Sequence, residues 1–351
     1  MSAEKQEEFK REFTHIKPLQ GRRSTEYEDL TLHIQQDPQQ DPRQFAWSGW
    51  TLLTPEGRGA WTVDSTALRC SDWWGFRDPT RTWQRTYVKV QAEQGKSLER
   101  LIETAKTRGL FTHFDPHWAQ AILANHFAAC TFMEYGIFRC FSYAQREALC
   151  DAIGNVCTFN AVDKMRYAQE VSLYGMELTQ SLPGFSDAGA KQTWVTEPLW
   201  QGVRENMEKL MVLPDWGEMV VGINVVFEPL VGELVRSEFF LRFAPRNGDS
   251  VTPAIVESAE LDWERNKKWT KAFTQLLLND PAHAAHNRAV MQGWIDKWTS
   301  LSLKAARGLA PLFELPSAKP QTFAEAFASV QQGSAALLAE AGLSAPAEVR
   351  A

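Results

Sequence analysis

The sequence predicts an all-α bundle preceded by an irregular N-terminal arm, and three observations carry that prediction. Beyond about residue 95, apolar side chains recur at helical spacing. Helix-start signals of the Asp-Pro, Thr-Pro and Thr-x-x-Glu kinds precede the apolar runs. No stretch in that region has the alternation of a strand, and no repeat period is evident.

Residues 1–95 form the arm. It is rich in Pro, Gly and Gln and carries Trp47, Trp50, Trp61, Trp73, Trp74 and Trp83. Indoles on an irregular segment must bury against something, so the arm is expected either to contact another subunit or to pack on the chain's own helices. A bundle follows over 96–315. Ser97 is placed to cap a helix through Leu98, Leu101, Ile102 and Ala105 that stops near Gly109. Asp115-Pro116 starts a long helix through Ala121, Phe127, Phe132 and Phe138 toward Leu149. The next, about 155–180, presents a seam of mostly small residues, Ala161, Met165, Ala168, Ser172 and Gly175, that would let a neighbour approach closely.

Glu197-Pro198 opens a helix that ends before Pro214. Asp215 caps a strongly apolar one from Trp216 to about 243, buried on most sides and expected to kink at Pro229. Thr252-Pro253 starts a helix reaching about Leu278, and Asp280-Pro281 starts another. In 316–351, Thr322-x-x-Glu325 is a capping box for a last helix before a tail expected to be mobile from about Ser344.

Composition narrows the function classes. The 44% apolar content supplies a large core, and a net charge of -6 argues against a nucleic-acid or anionic-membrane partner. The longest uncharged apolar segment, 219–227, is far short of the ~20 residues of a membrane helix. A polar N-terminus without an apolar signal core points to the cytoplasm. Cys70, Cys130, Cys140, Cys150 and Cys157 form no C-x-x-C pair and are expected to be free thiols, mostly buried.

Metal and nucleophile signals are weak taken singly. Glu12-Phe13-Thr14-His15 is the only E-x-x-H and has no second copy, while His113/His117 and His283/His286 are better surface or interface histidines than ligands. Glycine-rich nucleotide loops and nucleophile elbows are absent.

The informative pattern is a repeated D-x-x-R-x frame, in Asp163-Lys164-Met165-Arg166-Tyr167 and in Asp262-Trp263-Glu264-Arg265-Asn266. In ferritin-like carboxylate bundles such a frame holds a Glu and, three residues on, a His that bind iron from inside the bundle. Here those slots hold Lys164 and Tyr167 in one copy, Trp263 and Asn266 in the other. Ammonium, phenol, indole and carboxamide cannot replace the carboxylate oxygens and neutral imidazoles that bridge two irons. Glu134 stands on an otherwise apolar helix, where an unpaired carboxylate would be costly, and Lys164 is its candidate partner. The alternative, in which Lys164 reaches solvent, stays open at this point.

With these residues the chain resembles the β (smaller) subunit of the hydroxylase component of bacterial soluble di-iron monooxygenases, nearest the soluble methane and alkene monooxygenases. The resemblance runs from about residue 22 to 310. It is carried by Thr25-Glu26-Tyr27-Glu28, Asp72-Trp73, Arg77-Asp78-Pro79, Tyr87-Val88-Lys89, Glu134-Tyr135-Gly136, Arg146-Glu147-Ala148-Leu149, Glu238-Phe239-Phe240 and Ala244-Pro245-Arg246. Trp200-Gln201-Gly202, Asp215-Trp216-Gly217-Glu218 and Gly293-Trp294-Ile295 look like the toluene-type relatives.

The resemblance implies a ferritin-like (ribonucleotide-reductase-like) bundle that lacks catalytic and metal-binding residues of its own. Glu134, Lys164, Tyr167, Trp263 and Asn266 would be vestigial ligand positions, with Glu228 or Pro229 near a third. The di-iron centre would lie in a partner α subunit, within an α2β2 assembly with or without a γ subunit. A regulatory protein and a reductase carrying FAD and a 2Fe-2S cluster would complete an NADH- and O2-dependent system that oxidises small hydrocarbons. Two rivals are an oxygenase or ferroxidase with an unusual iron site at Glu134 and Glu228, and an unrelated helical binding protein.

Overall fold

The computed structural model describes residues 22–32, 57 and 64–349, and every regular element among them is helical. Helix α1, Gln84–Thr107, begins well before Ser97, which shortens the irregular arm. Its start was hidden because the N-cap is Trp83, whose N–H is taken by the Thr86 hydroxyl at 3.1 Å. Ser97 is no cap. It lies inside α1 and donates to the Glu93 carbonyl at 2.9 Å, the in-helix bond a serine makes when it does not end a helix. Only Tyr87, Leu98 and Ala105 of α1 are buried.

Asp115 accepts the Trp118 N–H at 2.8 Å, as a cap should. From there a π-helical stretch, Trp118–Phe127, runs into α2, Ala128–Glu147, and a short link leads to α3, Asp151–Ser181. These two helices make the most extensive contact between any two of the described elements. Ala161, Ala168 and Gly175 of the expected seam are buried, but Met165 is half-buried and Ser172 exposed. The buried small-residue strip instead continues through Cys157 and Gly154, and a Cβ on Gly154 would sit 3.6 Å from the Gln145 carbonyl of α2.

Helix α4, Ala190–Thr196, was too short to show periodicity, and α5 is Pro198–Met211. Asp215 caps α6, Trp216–Val220, by accepting the Glu218 N–H at 3.0 Å. The chain then continues as π-helix through Val221–Gly232 and Leu234–Leu241. Every residue of Val221–Gly232 is buried, as its composition requires. Pro229 does not break this helix, because π-type turns absorb the missing N–H that would interrupt a regular α-helix.

Asp249 ties the next corner: it accepts the N–H groups of Val251 and Thr252 at 2.9 and 3.0 Å and the Trp118 indole at 3.0 Å. Gly248 beside it has φ +80°, and a Cβ there would collide with the His113 carbonyl. Helix α7 is Thr252–Leu278 and α8 is Ala284–Gly308. The Asp280 carboxylate holds the approach to α8 through the Ala282 and His283 N–H groups, both at 2.9 Å.

The predicted capping box opens α9, Phe323–Glu340. The expected mobile tail is anchored instead. Gly342 turns the chain at φ +75°, Gln331 donates to the Glu348 carbonyl at 2.8 Å, and Val349 is buried.

Trp73 is buried with its ring 5.7 Å from Trp216, so this arm indole packs on the chain's own body. Trp74 and Trp83 are half-buried, while Trp47, Trp50, Trp61 and the Glu12–His15 motif lie outside the described residues. No described helix is long and apolar enough to cross a membrane.

Candidate functional site

The interior between α2, α3, the π-helical stretch and α7 holds a cluster of charged side chains within an otherwise apolar core. Glu134, Glu228 and Arg236 are at most 1% exposed, and Lys164 is 5% exposed. Lys164 Nζ lies 2.9 Å from Glu228 Oε1 and 3.3 Å from Glu134 Oε2. Lys164 therefore points inward, and the solvent-reaching alternative fails. The ammonium thus bridges one oxygen of each carboxylate.

Arg236 closes the other side. Its guanidinium donates to Glu134 Oε1 at 3.2 Å, to Glu228 Oε2 at 2.6 Å and to Glu260 Oε1 at 2.7 Å. Each of Glu134 and Glu228 is thus gripped by one lysine and one arginine. Gly232 makes room for this, since a Cβ there would lie 2.8 Å from Glu228 Oε2 and 3.0 Å from Arg236.

The two carboxylates respond differently to burial. Burial raises the Glu134 pKa and Lys164 and Arg236 only partly offset it, whereas at Glu228 the same two cations outweigh burial and hold the carboxyl at about 2. Arg236, despite burial, is held well above its ordinary value by Glu228, Glu260 and Glu134. The arginine stays charged.

The second slot of the first frame, Tyr167, is buried beside this cluster. Among the described residues its hydroxyl has no hydrogen-bond partner, and burial pushes its pKa well up. In the second frame, Trp263 donates its indole N–H to Glu233 at 2.6 Å, with Lys267 over its ring at 5.7 Å. Asn266 donates to Asp163 at 2.9 Å and accepts from the Trp269 indole at 3.1 Å. The four slots are brought to one region, but they act as packing and hydrogen-bonding groups.

The Asp and Arg of the two frames lock α3 to α7 reciprocally. Arg265 pairs with Asp163 at 2.5 Å, and Arg166 pairs with Asp262 at 2.6 Å. From α1, Tyr87 donates to Asp163 at 2.8 Å and Gln91 to Asp262 at 2.7 Å. One turn from Lys164 and Glu228, Asn224 donates to Asn160 and to Thr270, both at 2.9 Å, adding a second polar layer.

This donor set does not fit a bridged iron pair. Bridging needs anionic or neutral oxygen and nitrogen donors with free lone pairs. Here an ammonium and a guanidinium face the retained carboxylates. Among the described residues no group of three or more His, Cys, Asp or Glu is arranged to hold a metal ion. His113 and His117 are exposed, and His286 contacts the Ala67 carbonyl at 2.8 Å. Cys130, Cys140, Cys150 and Cys157 are buried free thiols, and Cys70 is half-buried.

Residues 50–281 match the family model described as methane/phenol/alkene hydroxylase. The chain belongs to that family. Its relatives include the propane 2-monooxygenase hydroxylase small subunit of Rhodococcus jostii, 34% identical over 97% of this chain and 91% of that protein. The methane monooxygenase component A β chain of Methylococcus capsulatus is 33% identical over 84% of this chain and 77% of that one. Among solved structures, that of toluene 4-monooxygenase with toluene in its resting active site aligns with a TM-score of 0.71 and 26% identity. The alignment covers 82% of this chain and 93% of that one.

The chain is accordingly a small, β-type hydroxylase subunit, a component of a monooxygenase, with the ferritin-like helical architecture its sequence predicts. An unrelated helical binding protein is set aside.

Arg236 and Glu260 are the members of the cluster that sequence reasoning missed. A signal existed: Glu228, Gly232 and Arg236 are spaced four apart, so one face of an apolar helix carries an acid, a gap and a base.

Proposed function

We propose that this chain is the non-catalytic structural subunit of a multicomponent NADH- and O2-dependent monooxygenase that hydroxylates or epoxidises small hydrocarbons. It pairs with an iron-bearing α subunit in an α2β2-type hydroxylase. Electrons come from a separate flavin and iron-sulfur reductase, and a regulatory protein completes the system.

The observation that carries this reading is the pair of cations between Glu134 and Glu228. In a ferritin-like bundle two metal ions neutralise the inward carboxylates. Lys164 and Arg236 supply that positive charge covalently, so the bundle can close around its acidic residues without metal. The retained Asp163–Arg265 and Asp262–Arg166 pairs keep the helices in register. What survives is the frame that a partner can dock on.

Metal analysis tests the reading. In the purified hydroxylase, iron should follow the α subunit, and this chain separated from it should hold none. Two irons per chain, retained by the separated subunit and lost in a Glu134→Ala, Glu228→Ala variant, would establish the rival iron site in this chain instead.

A further inference from the structure

Beside the charge cluster, a cleft of about 420 Å³ opens between the π-helical stretch, α7 and α9. Sites for small molecules occupy about 300–1,000 Å³, so the cleft has the size for one. Along its first wall Val225, Pro229 and Glu233 follow four apart, two apolar turns that end on a carboxylate. From α9 and its C-cap come Gly333, Leu337 and Ala341. Val225, Pro229 and Ala341 are buried and make the floor apolar.

Gly333 keeps the space clear. It lies inside α9, where glycine is less favourable than alanine, and a Cβ there would meet nothing within 4 Å. Packing does not call for a glycine at this place, and its effect is to widen the mouth of the cleft.

The charges on the walls cancel. Lys267 is held by Glu264 at 2.5 Å and by Glu233 at 3.7 Å, and Lys271 of α7 pairs with Glu340 of α9 at 3.0 Å. Lys268 has no ion-pair partner among the described residues, but it is exposed, and a hydrated ammonium gains little from an anion. With three lysines against three glutamates, an ion of either sign would bring uncompensated charge into the cleft, and a neutral molecule would not.

One polar anchor remains. Glu233 Oε1 takes the Trp263 indole N–H and faces Lys267, while Oε2 accepts from none of the described residues. Burial raises the Glu233 pKa more than Trp263 and Lys267 lower it, as befits a carboxylate short of donors. A hydroxyl supplies the missing donor without adding charge. We propose that this cleft binds a small neutral alcohol, with its hydrocarbon tail over Val225, Pro229 and Leu337 and its hydroxyl donating to Glu233 Oε2. Hydroxylation of a small hydrocarbon yields molecules of this class, so, resting on the function proposed above, the cleft is a place on this chain where the complex holds its own product.

The test uses the assembled hydroxylase and an aliphatic alcohol with a diazirine in its tail. On irradiation it should label this chain within 225–233 and 333–341. Peptide mass spectrometry reads the labelled positions, which separates this cleft from any pocket in a partner. 1-Hexanol should compete for the labelling at least about tenfold better than its methyl ether, which keeps the tail but has no O–H, and better than hexanoate by a similar factor. Gly333→Leu puts a side chain into the cleft and should cut the labelling about tenfold, with assembly and hydrocarbon turnover unchanged.

Equal competition by the ether or by hexanoate overturns the hydroxyl anchor. Labelling that is absent, or unchanged in Gly333→Leu, overturns the cleft, even in a complex that is active and so upholds the proposed function. Labelling of the cleft in a chain that itself holds the iron would uphold the site while the proposed function fell.

Discussion

Replacing Lys164 with Ala removes one of the two cations that, among the described residues, meet Glu134 and Glu228 inside the bundle. Glu134 Oε2 and Glu228 Oε1 would then face a cavity where an ammonium stood. Breaking a buried ion pair by deleting one partner costs about 3–5 kcal/mol. Arg236 still grips the other oxygen of each carboxylate, so the lower end applies. At an unfolding entropy of about 2.1 cal/mol/K per residue, a chain of this length would lose roughly 4 °C in Tm for about 3 kcal/mol.

The deficit should depend on pH with a definite sign. Burial already raises the Glu134 pKa, and losing Lys164 raises it further. A carboxyl that binds its proton more tightly folded than unfolded loses stability as pH rises from about 4.5 to its folded pKa. The variant's deficit should therefore shrink between pH 7.5 and 5.5. Thermal unfolding of the purified hydroxylase at both values measures it, with iron content and NADH-dependent turnover as separate readouts. Both of these should stay near wild type. A variant as stable as wild type at pH 7.5 would refute the buried-cluster argument, and loss of iron from an intact complex would refute the non-catalytic assignment.

Three further outcomes follow from neighbouring groups. Gly232→Ala should cost about 1–3 kcal/mol by overpacking Glu228 against Arg236, measured by urea unfolding. Trp263→Phe should lose about 1–2 kcal/mol with the bond to Glu233, while Trp263→Ala should lose about 3–5 kcal/mol through a cavity; a surface-like effect of either would contradict its packing. Glu228, held at about 2 when folded against 4.5 ordinarily, contributes stability that is present above pH 4.5 and lost as pH falls toward 2. A Glu228→Gln chain should lack that acid-sensitive portion of an equilibrium unfolding profile.

Much of the fold was legible in short-range chemistry. Asp115, Asp215 and Thr322 accept the N–H groups their positions promise, because a capping bond involves residues three apart and needs no tertiary information. The misses share the opposite character. Ser97 is as good a cap as any by composition, yet α1 runs through it, since Tyr87 and Gln91 are tied to Asp163 and Asp262 far along the chain. The tail beyond Ser344 carries few local signals of order, but Val349 and Glu348 are held by the body of the protein. Half of the candidate site was equally accessible: Glu134 with Lys164 follows from the cost of a lone buried charge, whereas Arg236 and Glu260 do not.

The sequence by itself determined that the two D-x-x-R-x frames carry Lys164, Tyr167, Trp263 and Asn266, none of them a carboxylate or an imidazole, because ligand chemistry is a property of residue type. It also determined the helical character and most helix starts, because periodicity and capping are local. Only the tertiary structure decided that Lys164 turns inward and that Arg236 reaches three carboxylates at once. Those facts depend on which helices touch and at what rotation, and that is set by the packing of the whole core.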